Sequence, residues 1–324
     1  MQKLLFSLTI IAAGLSVGYI IQRLVKAGRI KADHSLVKTR RLLQRIALLG
    51  LNPLAAMGAI WIFELNNIRI VWLPVLGVLT LLTGGAAGLL IGRALKLERP
   101  QAGAFFSAGG MFNIGSIGAL VVFIFLGEPG FALVPLFRLF EEFTYYAVGF
   151  PIAKSFSPRL AEKDEGSHLT RLLADPFILM AVGSISLGFI LNLSGIPRPE
   201  FFAPLNSIII PVASLLLLVS IGMAMRFSSI KAYMREASFV AGIKFLIVPA
   251  VVTGTAYLAG LGGFDAGLPL KVVLILSSVP VGFIAMVPPS IYELDVDLAN
   301  ASWLLTTALL ALVIPLQMAI ISLI

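Results

Sequence analysis

Apolar residues run through this chain in long blocks, separated by short polar connections. Ten blocks are long enough to cross a bilayer as helices, at residues 4–24, 42–63, 70–92, 103–126, 131–153, 176–194, 204–225, 237–260, 268–293 and 298–322. The measure is about 20 apolar residues at 1.5 Å per residue against the hydrocarbon thickness. Two of the ten are interrupted. The ninth carries Pro280 at its centre, with Gly282 two residues on. Proline has no N–H, and its ring would meet the carbonyl of Leu276 in a continuous helix. A break there leaves two half-helices of about 11 residues, each crossing roughly half the core. Unpaired backbone in lipid costs several kcal/mol per group, so a break survives only inside protein or beside a water-filled cavity. Taken alone, Pro280 also fits a simple kink.

The fourth block, AFFSAGGMFNIGSIGALVVFIFLG, gathers Gly109, Gly110, Gly115 and Gly118 around Asn113 and Ser116. Glycine costs about 1 kcal/mol relative to alanine in a helix interior. The cluster reads either as a second break or as a small-residue surface for close helix packing. The interrupted ninth span in the other half of the chain favours the break.

Basic residues alternate from connection to connection. Lys26, Arg29, Lys31, Lys38, Arg40, Arg41 and Arg45 follow span 1, and Arg93, Lys96 and Arg99 follow span 3. Lys154, Arg159, Lys163 and Arg171 follow span 5, and Arg226, Lys231 and Arg235 follow span 7. The other side has only Lys3, Arg69, Arg198 and Lys271. Basic loops stay in the cytoplasm, so both termini are expected outside it, in a multi-pass protein of the cell (inner) membrane. The loop after span 9, with Glu293, Asp295 and Asp297 and no base, is the exception. Residues 28–41 predict a short interfacial helix. The run Leu4 to Leu24 is too long for a signal-peptide core and is read as a retained span.

The connection at 154–175 reads as a hinge. It divides the chain into residues 1–156 with spans 1–5, a cytoplasmic loop at 157–175, and residues 176–324 with spans 6–10. Five is odd, so the second half enters the membrane the opposite way. The expected fold is therefore an all-α polytopic membrane protein of ten transmembrane helices in two inverted five-helix repeats, with broken helices at spans 4 and 9. Inverted repeats of this kind mark secondary carriers.

Composition fits this. Of 324 residues, 59% are hydrophobic and 12% charged, against about 25% charged in soluble proteins. No sizeable soluble domain is expected. The net charge of +8 is assigned to cytoplasmic loops, not to nucleic acid. The absence of cysteine excludes disulfides, thiolate metal sites and thiol nucleophiles. His34 and His168 fall in polar connections and are read as solvated. No metal site, cofactor or enzyme activity is expected.

The candidate chemistry lies at the two breaks. Half-helix N-termini aimed at one point carry free N–H groups and partial positive charge, which suits a carboxylate. Asn113 can donate and accept, and Pro280 leaves a carbonyl for a substrate donor or water. Lys244 lies about nine residues into span 8. It reads equally as a functional intramembrane charge or as one that snorkels or pairs with a carboxylate. In span 5, Arg138 can meet Glu141 or Glu142 one helical turn on, an internal ion pair that leaves one carboxylate free to face a cavity or couple protons. Asn52 and Pro53 either line a cavity or kink span 2, and the kink is the simpler reading. Tyr145 and Tyr146 read as packing residues.

Asn113-x-Gly115-x-x-Gly118 and Val279-Pro280-Val281-Gly282, running on to Tyr292-Glu293, resemble the auxin efflux carrier family. So do Leu298 to Thr307, Ile314-Pro315-Leu316, Asn52-Pro53, and Lys244 with Pro249. The resemblance covers essentially the whole chain at low similarity. It implies a scaffold of spans 1, 2, 6 and 7, with a dimer contact, and a mobile transport domain of spans 3–5 and 8–10. The broken helices would cross near mid-membrane, with substrate held by Asn113, Ile114, Gly115, Val279, Pro280, Val281, Gly282 and Lys244. Small organic anions such as malate or malonate are implied, carried by an elevator movement. Independence of sodium is read from the residues, since the stretches around Asn113 and Pro280 carry no acid. The partners expected are that anion, membrane lipid and a second copy of the chain. A sodium- or proton-coupled symporter of the bile-acid type is the alternative, with a membrane receptor or enzyme behind it. Two features depart from the family pattern. Phe112 stands where relatives often have proline beside the asparagine, and Pro288-Pro289 adds a second kink.

Overall fold

The structure, a computed structural model, describes residues 2–29, 35–63, 68–158, 176–225, 227 and 230–323. Apart from one isolated β-bridge, the regular structure among them is helical. Among the described residues six helices are long and apolar enough to cross a membrane, up to seven with one bent pair taken as a single span. The protein is a polytopic membrane protein. Most of the hinge expected at 157–175 lies outside the described residues, as do His34 and His168.

Contacts group the chain into two compact units. Unit 1 is Met1–Asn66, Gly115–Leu136 and Asp175–Met225; unit 2 is Asn67–Ile114, Phe137–Ala174 and Arg226–Ile324.

Unit 1 contains α1 (Gln2–Lys26), α2 (Ser35–Arg45), α3 (Asn52–Trp61), most of α6 (Ala119–Phe137), α9 (Pro176–Leu193) and α10 (Phe202–Gly222). A π-turn at Ile46–Leu51 joins α2 to α3, so the interfacial helix predicted at 28–41 instead runs on into span 2. Helices α1 and α10 touch backbone to backbone. A Cβ on Gly18 would lie 2.1 Å from the Val219 carbonyl oxygen, and one on Gly222 2.2 Å from that of Leu15. Small residues permit such approach where lipid leaves no hydrophobic drive for association. At the far end of α3, the Asn192 amide donates to the carbonyls of Ile60, Trp61 and Phe63 at 2.7–3.0 Å. Ile60 and Trp61 lie in the last turn of α3, whose carbonyls lack the regular i+4 partners of a helix interior.

Spans 4 and 5 were expected as separate helices; the long stretch Ile114–Lys154 runs from span 4 into span 5 across a corner with non-helical backbone angles between them. Its corner is Gly127, at φ +71, a backbone angle that glycine adopts without penalty. The corner places Glu128 against Arg198, which also donates to Gly58 O at 2.8 Å. Asn206 completes the cluster, donating to Glu128 at 2.6 Å.

Unit 2 contains α4 (Trp72–Ala94), α5 (Arg99–Gly110), α7 (Glu141–Thr144), α8 (Phe150–Lys154), α11 (Met234–Gly242), α12 (Val248–Leu258), α13 (Leu268–Ser277), α14 (Val287–Ile291), α15 (Val296–Ala308) and α16 (Leu310–Ile321). Glu98 and Gln101 form a capping box at the start of α5. Helices α4 and α5 pack through Gly84 and Gly109, where an added Cβ would meet the opposite carbonyl at 2.3 and 2.7 Å. The last pair, α15 and α16, is bent by 49°. In the turn before α11, the Tyr233 hydroxyl donates to Asp295 at 2.6 Å, and that bond pushes its pKa up to about 12. Asp295 also caps α15 by accepting from Leu298 N at 2.9 Å.

Three π-turns share one cause. Those at Ile46–Leu51, Tyr145–Gly149 and Ile243–Ile247 each end two residues before a proline, at Pro53, Pro151 and Pro249. The ring displaces the carbonyl four residues back, and the preceding turn widens. Two of these turns carry side chains of the candidate site.

A candidate site where two broken helices cross

Helix α5 ends at Gly110 and α13 at Ser277, both deep in unit 2. The chain beyond each is extended for a few residues. It then turns again at Ile114–Gly118 and at Phe283–Met286. Both interruptions fall in the predicted spans. The glycines before Asn113 have a different role from the one expected. Gly109 and Gly110 lie inside α5 and pack on α4, and the chain opens only at Met111. Pro288 and Pro289 do not kink a helix either. They occupy the first turn of α14, where a missing N–H removes no intrahelical bond.

The two extended segments bind each other. Phe112 and Val281 face as an antiparallel pair. Asn113 N donates to Pro280 O at 3.0 Å, and Gly282 N donates to Met111 O at 3.0 Å. The Pro280 carbonyl expected to remain open is therefore used within the crossing. The pattern is symmetric about the Phe112–Val281 pair, and it extends one shell outwards. Phe112 N donates to the Tyr145 hydroxyl at 3.0 Å, and Val281 N to the Thr306 hydroxyl at 3.2 Å. Each break thus finds partners for the N–H groups that lipid could not satisfy.

Gly282 is dictated by this approach. Its φ is −74, so no special backbone angle is needed. A Cβ there, however, would sit 2.5 Å from Phe112 O and 2.8 Å from Phe112 C. Phe112, the departure from the family pattern, keeps an N–H that proline would lack, and the crossing uses it.

Asn113 is 6% exposed and Ile114, Val279, Pro280, Val281 and Gly282 are buried. These residues come together in unit 2, whereas Gly115 opens the segment that groups with unit 1. Asn52 and Pro53 lie in unit 1, at the start of α3, with Pro53 buried. Lys244 is fully buried. Its Nζ donates to Met111 O at 2.8 Å and lies 3.0 Å from the centroid of the Phe112 ring.

In span 5, Arg138 pairs with Glu141, and Glu142 is half-buried. The pair is not isolated. Tyr145 donates its hydroxyl to Glu141 at 3.0 Å while accepting from Phe112 N, so one chain of bonds runs from Arg138 to the crossing. Sequence reasoning took Tyr145 for packing and gave Thr306 no role of its own. Pro151, six residues after Tyr145, was the available signal. Tyr145→Phe keeps the ring but strands a buried N–H. We expect a loss of about 1–3 kcal/mol, read as a lower thermal midpoint.

Two further features bound the chemistry. A cavity of about 240 Å³ in unit 2 is lined by apolar groups including Leu81, Gly85, Phe106, Met111 and Gly149. Its hydroxyls, Thr144 and Tyr145, are committed to Phe140 O and Glu141, so it offers little to a charged ligand. On α15, by contrast, Ser302 Oγ, Trp303 Nε1 and Thr307 Oγ1 are buried and have no hydrogen-bond partner among the described residues. They flank Thr306, which holds Val281. Buried polar atoms of this kind are rare and point to a polar ligand or water.

The chain is 23% identical over 278 residues to an uncharacterized transporter of Methanothermobacter thermautotrophicus, covering 85% of this chain and 86% of that protein. It is 25% identical over 248 residues to an uncharacterized transporter of Methanocaldococcus jannaschii, covering 75% of this chain and 77% of that one. The profile of a family described as membrane transport protein matches residues 61–318. That stretch holds both breaks and every partner of the crossing, and the chain belongs to this membrane transport protein family, the family of the auxin efflux carriers.

Proposed function

We propose that this membrane transporter is a secondary carrier for a small organic anion, working by alternating access without sodium. The carrying observation is the crossing itself, two interrupted spans joined through Phe112–Val281 with Asn113 beside the joint. The matching place of the two breaks, one in each half of the chain, supports two inverted five-helix repeats of ten spans in all. Substrate is held at Asn113, Ile114, Gly115 and Val279 to Gly282, with the polar atoms of α15 close in sequence to Thr306. Lys244 serves that site through the backbone at Met111. The substrate-bearing part, spans 3–5 and 8–10, moves as an elevator against a dimeric scaffold of spans 1, 2, 6 and 7. Support for that division comes from the two compact units, with residues 115–136 grouping on the scaffold side. Both termini lie outside the cytoplasm of the inner membrane, and efflux is the favoured direction for an anion at an inside-negative potential.

The test is flux in liposomes holding purified protein, against a panel of small carboxylates that includes malate. Flux should follow an imposed potential, which is worth about 2.3 kcal/mol per charge per 100 mV, and should ignore replacement of sodium by choline. Asn113→Ala should lower it about tenfold or more with folding intact, the loss of one polar contact in the loaded state. A sodium requirement would replace this reading with the symporter. Flux that follows a pH gradient would point to the Arg138–Glu141–Tyr145 chain or to Glu142 as the coupling element.

A further inference from the structure

Met111 O stands at the C-terminal end of α5, where a helix concentrates partial negative charge on carbonyls without intrahelical partners. A carbonyl oxygen has two lone pairs. One accepts Gly282 N from the other broken span, and the second accepts Lys244 Nζ. Over the same nitrogen lies the face of Phe112, the residue at the centre of the crossing. A carbonyl oxygen at a helix end together with an aromatic face is a ligand set for a monovalent cation. Among the described residues no carboxylate pairs with Lys244.

The other broken span is finished differently. There the bridge counterpart of Met111 O is Pro280 O, which accepts Asn113 N, and two residues before it, just past α13, Ser278 O and Oγ accept the neutral Gln317 amide at 3.2 and 2.7 Å. The bridge around Phe112–Val281 is symmetric, but the charge is not. A buried lysine inside a membrane is expensive, so an equally placed neutral donor would be the cheaper choice if only a hydrogen bond were needed. The widened turn ahead of Pro249 presents Lys244 at this spot.

We propose that Lys244 is a cation built into the chain at the crossing. Its ammonium fills a monovalent-cation site formed by Met111 O and the Phe112 ring, and it positions the Met111–Asn113 segment on which the other broken helix rests. The inference does not rest on the carrier being an anion carrier, because its readout needs no substrate.

The test compares thermal unfolding of purified wild type, Lys244→Met and Lys244→Ala, followed by tryptophan fluorescence. Each is measured in sodium, methylammonium and N-methylglucamine chloride at equal ionic strength. Lys244→Met keeps the length and loses the charge, and its midpoint should fall by roughly 5–10 °C. Lys244→Ala opens room for a small cation. It should fall further and recover most of the loss in methylammonium but not in N-methylglucamine, while wild type responds to none of the three. A merely space-filling lysine would show the opposite, with Lys244→Met as stable as wild type and no cation restoring Lys244→Ala. Either result overturns the proposal. Should Lys244→Ala yield no folded protein in sodium, purification in methylammonium takes its place, and failure there counts against the site. A failed flux assay with intact cation rescue would reject the anion carrier and leave this site standing.

Discussion

Gly282→Ala should unfold at a much lower temperature than wild type, while Gly254→Ala should unfold no earlier. Both changes add one methyl group, so the difference isolates what surrounds it. At Gly282 the new Cβ would meet Phe112 O at 2.5 Å and Phe112 C at 2.8 Å, with Asn113 N at 3.3 Å. Those atoms are backbone, and they are tied down. Phe112 N is bonded to Tyr145 and Asn113 N to Pro280 O. Relief therefore requires the two extended segments to part, which breaks the Gly282 N to Met111 O bond and leaves buried groups unpaired. Overpacking costs about 1–3 kcal/mol and a lost buried hydrogen bond about 1 more, so the midpoint should fall by roughly 5–15 °C. Gly254 lies inside α12 with nothing within 4 Å of the added Cβ. There alanine removes the entropic cost of a helical glycine, about 0.5–1 kcal/mol. The comparison is made at one scan rate, since such proteins often unfold irreversibly. Equal midpoints for the two variants would mean that the crossing is not closed as described.

The break at Pro280 was legible because its cause is local. A proline with a glycine two residues on, in the middle of an apolar span, interrupts a helix wherever it is placed. The break at span 4 was legible only as an alternative, because glycines serve packing and interruption alike. Gly109 and Gly110 pack on α4, and the opening at Met111–Asn113 is stabilised by residues from span 9. Nothing within span 4 records that partner. The same holds for Tyr145. Pro151 widens its turn locally, but its bond to Phe112 joins positions 33 residues apart. Lys244 stood out as a charge among apolar residues, and its two readings stayed balanced because its partner is a main-chain carbonyl. A carbonyl has no sequence signature. Proline placement also misled in one instance, since Pro288 and Pro289 begin a helix where a kink was expected.

Glu128→Ala and Arg198→Met should each destabilise the protein strongly, and the double variant should lose less than the two together. Arg198 holds Glu128 through both terminal guanidinium nitrogens and donates to Gly58 O at 2.8 Å. Asn206 adds a donor to the same carboxylate at 2.6 Å. The side chains are only 8% and 14% exposed, so water replaces little of what is removed. Losing the carboxylate leaves one buried cation and one buried amide facing each other. Losing the guanidinium leaves a buried carboxylate with the amide alone. Breaking one side of a buried pair costs about 3–5 kcal/mol, mostly the penalty on the charge left behind. Removing both charges abolishes that penalty, so the cycle should show a coupling of about 1–3 kcal/mol. The sequence hid this cluster well, because Glu128 follows a glycine corner and Arg198 sits 70 residues on. Its consequence is mechanical. The Gly127 corner that ends the first half of Ile114–Lys154 is fixed within unit 1 by this pair, and Gly115–Leu136 belongs to that unit. Hydrogen exchange at residues 124–131 should therefore speed up in either single variant. Protection unchanged from wild type would show that the corner is held by packing alone.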